Sequence, residues 1–110
     1  MASQKIDKQM KELAQLAYER DLSRCIDVLH AQMREWKEGR MTVWDIEQSI
    51  HEFHNKIARG LYRSYAMNDT FLAVAFGVAQ EVLSIDDIPE SEKAKIQSVA
   101  ESINRGVKHE

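Results

Sequence analysis

The chain has 110 residues, of which 44% are hydrophobic and 30% charged, with one Pro and four Gly. That balance excludes a disordered polypeptide, and so few turn formers exclude a fold of many short strands. The net charge of -3 argues against generic nucleic-acid binding, which calls for a basic domain.

Met1 to Lys5 leads into no apolar run, so no signal peptide is expected. Ser3 is a candidate cap for a first helix over about residues 3–38. Ile6, Met10, Leu13 and Ala17 follow at steps of four, three and four, a helical stripe. Arg20 and Asp21 then occupy the continuing positions. A second stripe of Tyr18, Leu22, Cys25, Leu29, Met33 and Trp36 lies around the helix from the first. Two structures fit: a break near 19–23 with Asp21 or Ser23 as a new cap, or one long helix that changes partners partway. The absence of Gly and Pro favours a long helix or a kinked pair. Cys25, the only cysteine, reads as a buried, inert thiol on this stripe. It excludes an intramolecular disulfide and suits a reducing, cytoplasmic setting.

Gly39 supplies a left-handed residue past the helix end. Thr42 and Asp45 form a capping box, with Met41 and Ile46 as a hydrophobic staple, so Lys37–Met41 turns between antiparallel helices. The next helix is predicted over 42–66. Its apolar stripe is Val43, Ile46, Ile50, Phe53, Ile57 and Leu61. Asn68 or Asp69 caps a helix over 69–83 that is apolar all round, which predicts burial on every side, either inside the chain or in a dimer interface. Its longest apolar run, Phe71 to Ala79, is nine residues, well short of the roughly 20 that cross a membrane. After an acidic connector, Pro89 fits the first position of a last helix over 89–105. Ile96, Val99, Ala100 and Ile103 make its stripe, Gly106 ends it, and Val107–Glu110 should fray. The fold class expected is all-α, a four- or five-helix bundle in a single domain over 1–110.

The residues that could carry function are few. Glu47, His51 and His54 share one helical face and could hold a metal, although two His three apart more simply read as surface or interfacial residues. A di-iron centre needs Glu-x-x-His pairs, and no Glu here has a His three residues on. Lys56, Arg59 and Arg63 form a basic stripe with Tyr62 and Tyr65 nearby, either a solvated face or a small nucleic-acid contact. Trp36 and Trp44 flank the turn at Gly39. They either pack on each other or join Met33 and Met41 in a partner-binding patch. No phosphate-binding Gly-rich loop and no nucleophile elbow is present, so no catalytic residue and no cofactor is expected.

Ser49-Ile50-His51-Glu52-Phe53-His54-Asn55, followed by Ala58-Arg59-Gly60-Leu61-Tyr62-Arg63-Ser64-Tyr65, resembles a segment of small bacterial all-helical proteins. In them His-x-(Phe/Tyr)-His-(Asp/Asn) precedes Arg-x-Leu-Tyr-x-x-Tyr. The resemblance implies a bacterial origin and a role in folding or binding for His51, His54, Arg59, Tyr62 and Tyr65. It implies no activity. The sequence therefore points to a non-catalytic interaction or regulatory protein, a homodimer or a partner-binding module. A nucleic-acid-linked role through Lys56, Arg59 and Arg63 is the alternative, and metal binding through His51 and His54 comes third.

Overall fold

The computed structural model describes residues 2–108, with side chains described for residues 4–106. Among the described residues every element is helical and none is a strand. Helix α1 spans Ala2–Lys37 and α2 spans Val43–Glu52. The second rod continues without a gap through a π segment, Phe53–Ala58, a short α3, Arg59–Leu61, and a second π segment, Tyr62–Ala66. Helix α4 spans Thr70–Ala79 and α5 spans Lys93–Lys108.

Helix α1 runs unbroken through 19–23, which selects the single long helix from the two structures that fit the sequence. No Gly or Pro interrupts it, and tertiary contacts hold both of its halves. Its 36 residues make a rod of about 54 Å, which sets the 56 Å long axis of the molecule. Met10 and Ala17 in the first half are buried in the core with α4, and the second half faces the rod of residues 43–66. The two stripes in the sequence are thus one helix changing partners. It begins at Ala2, so Ser3 lies inside the first turn rather than before it.

The turn after α1 follows the local chemistry. Gly39 has φ +83, its N–H donates to the Trp36 carbonyl, and the Arg40 N–H donates to the Glu35 carbonyl at 2.9 Å. That pair of bonds is a Schellman closure. Arg40 also pairs with Glu35 and Glu38 across it. Thr42 Oγ1 accepts from the Asp45 N–H at 3.1 Å, and Asp45 Oδ2 accepts from the Thr42 N–H at 3.0 Å. These bonds hold the Asp45 carboxyl below its ordinary pKa.

Helix α4 is the centre of the core. Asp69 caps it by accepting from the Phe71 and Leu72 N–H groups. It packs on α1 and α5 of the same chain, with Ala73, Val74, Ala75 and Gly77 buried. Its apolar character is therefore used inside the chain. A Cβ on Gly77 would lie 2.7 Å from Ala17 Cβ and 3.0 Å from Leu83 Cδ1, so glycine is what lets the two helices touch.

Helix α4 ends at Ala79, four residues short of the expected 83. Glu81 takes φ +63, while the Glu81 N–H donates to the Val78 carbonyl and the Val82 N–H to the Gly77 carbonyl. This second Schellman closure carries a side chain at the left-handed position. Arg20 Nη1 donates to the Val82 carbonyl at 2.8 Å and ties the loop back to α1. Beyond it, Ser84 caps the 3₁₀ turn Ile85–Asp87. Pro89 precedes a second 3₁₀ turn, Glu90–Glu92, so α5 itself starts at Lys93 rather than at Pro89. Ile96 and Ala100 are buried, with Val99 and Ile103 packed beside them. Gly106 lies within α5 instead of ending it, since the contacts of Ile96 to Ile103 carry the helix past a residue of weak propensity. Of the Val107–Glu110 stretch expected to fray, residues 107 and 108 remain in α5, and residues 109 and 110 lie outside the described residues.

Two stability predictions follow from these contacts. Gly77→Ala should destabilise the fold by about 1–3 kcal/mol in urea unfolding, and Ala17→Gly should restore part of the loss. Glu81→Gly should stabilise by about 1 kcal/mol, because the left-handed backbone no longer opposes a side chain.

Candidate interaction surface

The rod of residues 43–66 sets the geometry of every residue singled out in the sequence. A regular α-helix would keep Val43, Ile46, Ile50, Phe53, Ile57 and Leu61 on one face. Of that line only Ile46 is buried within α2, Val43 and Ile50 stay exposed, and the next half-buried residue is Phe53. There the π segment, with i→i+5 bonding, takes up one extra residue and shifts the register. The inward positions that follow are Ala58, Leu61 and Tyr65, and Ile57 is left 42% exposed. In the second π segment the Met67 N–H donates to the Tyr62 carbonyl at 3.0 Å.

This shift carries Tyr65 out of the expected contact surface and into the core, where it is 5% exposed. Its ring stacks on Tyr18 with centroids 5.5 Å apart and meets Phe76 edge-on at 5.1 Å. Its hydroxyl donates to Asp21 Oδ2 at 2.8 Å. Asp21, itself 5% exposed, also accepts from Arg24 at 3.2 Å. The residue that interrupted the apolar stripe is thus a satisfied buried carboxylate, not a helix cap. Burial, and then the Asp21 carboxylate, push the Tyr65 hydroxyl far above its ordinary pKa of 10.0. Burial first and Asp21 second also raise the Cys25 thiol, which favours its unreactive, protonated form.

Lys56, Arg59, Arg63 and Tyr62 are all exposed, and the three cations make no ion pair among the described residues. The Glu47–His51–His54 trio does not converge. His51 Nε2 lies 3.5 Å from Glu47 Oε1, and His54 makes no ion pair with that glutamate among the described residues. Among the described residues no three His, Cys, Asp or Glu side chains come together as a metal site would require. Trp36 and Trp44 do not pack ring on ring. Trp36 lies under the Lys37 ammonium, 5.8 Å from it, and Trp44 is 74% exposed. A groove of about 340 Å³ between the starts of α1 and α4 is lined by Ile6, Asp7, Met10, Lys11, Asp69 and Phe71 among others.

What the sequence did not single out is the open side of the hairpin formed by the second half of α1 and α2. Leu22, Cys25, Leu29 and Gln32 on α1 are half-buried toward α2, whose inward residues are Ile46, Ser49 and Phe53. Stepping about 100° per residue from those two lines places Ile26 and Met33 on one side of the hairpin. Because the helices are antiparallel, the same step places Val43 and Ile50 on that side too. All four are exposed: Ile26 48%, Met33 39%, Val43 54% and Ile50 44%. Each leaves roughly 1 kcal/mol of possible burial unrealised. The signal was present as a widened stripe, since Leu22, Ile26, Leu29, Met33 and Trp36 recur at steps of four and three beside the line that faces α2.

Comparison of the chain with protein-family models, with curated proteins and with solved structures gave no match. Tyr65→Phe should cost about 1–3 kcal/mol, because Asp21 loses its buried donor. A raised folded-state pKa gives stability that is full below pH 10 and falls as pH rises above it. Denaturant titrations across alkaline pH should show that slope in the wild type and a shallower one in Tyr65→Phe.

Proposed function

We propose that the protein is a non-catalytic helical interaction module, a helix bundle left incomplete along the hairpin of α1 and α2. The observation that carries this reading is the apolar line of Ile26, Met33, Val43 and Ile50, open to solvent along one side of two packed helices. A helix pair with apolar side chains on a free face gains stability when another surface covers it. The resemblance of residues 49–65 to bacterial helical proteins supports a bacterial origin, and the single Cys25 suits a cytoplasmic setting. The expected result is that untagged protein isolated from cells sediments above its 12.7 kDa protomer mass. Ile26→Glu/Met33→Glu should return it to that mass with its helical circular dichroism intact. A wild type that sediments as a bare protomer at every concentration overturns the reading.

A second reading rests on Lys56, Arg59 and Arg63, three exposed cations with no ion pair among the described residues. It makes the rod a nucleic-acid contact with Tyr62 beside it. It requires salt-dependent RNA or DNA binding that Arg59→Ala/Arg63→Ala weakens. Binding unchanged by that variant removes these residues from the function.

A further inference from the structure

The open hairpin face has its own internal symmetry. On α1 its exposed apolar residues are Ile26 and Met33, three before and four after the level of Leu29. On α2 the exposed apolar residue nearest the middle of the face is Ile50. Trp36 and Val43 flank the turn, and seven residues back from it along each helix lie Leu29 and Ile50. Both helices have the same rise per residue, so Leu29 and Ile50 stand at one height.

We propose that this face is covered by a second copy of the chain, laid antiparallel about a two-fold axis that passes Leu29 and Ile50. The proposal rests on the interaction-module reading and names its partner. One rotation then satisfies both helices. Ile50 meets its own counterpart, and Ile26 lies against Met33 of the second copy. A two-fold contact must be self-complementary in this way. The face suits it in size. Two helices about 10 Å wide each, over some 25 Å of length, give about 500 Å² in projection. The corrugated accessible surface is larger than its projection and approaches the roughly 800 Å² per partner of a stable dimer.

The polar edge agrees with the same axis. Glu47 stands three residues before Ile50 and His54 four after, so the rotation sets each Glu47 carboxylate against His54 of the second copy. Within the protomer Glu47 reaches only His51, at 3.5 Å, and both side chains are well exposed. The contact across the axis completes a His–Glu–His array at each end of the seam. The four helices of the two hairpins then form one antiparallel bundle with Ile26, Met33, Val43 and Ile50 inside.

The test is site-directed cross-linking in a Cys25→Ser background, read beside the sedimentation mass. Ile50→Cys should oxidise to a covalent dimer of the full chain at micromolar concentration. Ile26→Cys mixed with Met33→Cys should give a disulfide between the two variants in greater yield than either alone. Val28→Cys, exposed but on the opposite side of α1, should give none. Glu47→Lys should weaken dimerisation about tenfold, and adding His54→Glu should restore it. Ile50→Glu, at a site already exposed in the protomer, should leave the helical dichroism unchanged and sediment at protomer mass. A mass above the protomer that proves to be a different polypeptide overturns the second copy and leaves the interaction reading standing. A bare protomer overturns both. Val43→Cys linking to itself, with no link through Ile50→Cys, overturns the antiparallel arrangement.

Discussion

The hydrogen bond from Tyr65 to Asp21 is the constraint on which the arrangement turns. It sits where α1 stops packing on α4 and starts packing on the second rod. A buried carboxylate is tolerated only with donors in place, and here the Tyr65 hydroxyl and the Arg24 guanidinium supply them. Apolar contacts alone would let α1 slide against its neighbours by a turn at modest cost. A directional bond between two nearly inaccessible groups fixes the height of one rod on the other. The Tyr65 ring extends that registration to Tyr18 on α1 and Phe76 on α4, so three elements are keyed to one side chain.

Once that height is fixed, the molecule divides into a filled part and an unfilled one. Helix α4 packs along the first half of α1, and α5 packs on α4. The second half of α1 has only the rod of residues 43–66 beside it. Gly77 and Ala17 bring the helices of the filled part nearly into backbone contact, and of the large apolar side chains on α4 only Leu72 stays exposed. The hairpin has no such cover, and its exposed isoleucines and Met33 follow from that absence of a third layer.

Much of this was legible in the residues, and the failures have a common cause. The Thr42–Asp45 box and the Gly39 closure were readable because each depends on side chains and backbone only a few positions apart. The single long α1 was readable from its lack of breakers, but the role of Asp21 was not. A charged residue in an apolar stripe looks like an interruption until a donor 44 positions away is brought to it. Tyr65 was misplaced for a related reason. Wheel reasoning assumes a constant step, and the π segment at Phe53–Ala58 breaks that step without any Gly or Pro to announce it. The core carried by Ile46, Ala17 and Ile96 needed only period and polarity. The candidate surface depended on a phase that tertiary contacts set.

The two π segments bear on how this rod can change length over evolutionary time. A π turn is an α-helix holding one residue more than it needs. Loss of one residue within Phe53–Ala58 would convert that stretch to ordinary α-helix while keeping Leu61 and Tyr65 pointed inward. The same loss in α1 would rotate everything beyond it by about 100° and separate Asp21 from its donor. A single-residue insertion or deletion should therefore be absorbed in the second rod and not in α1.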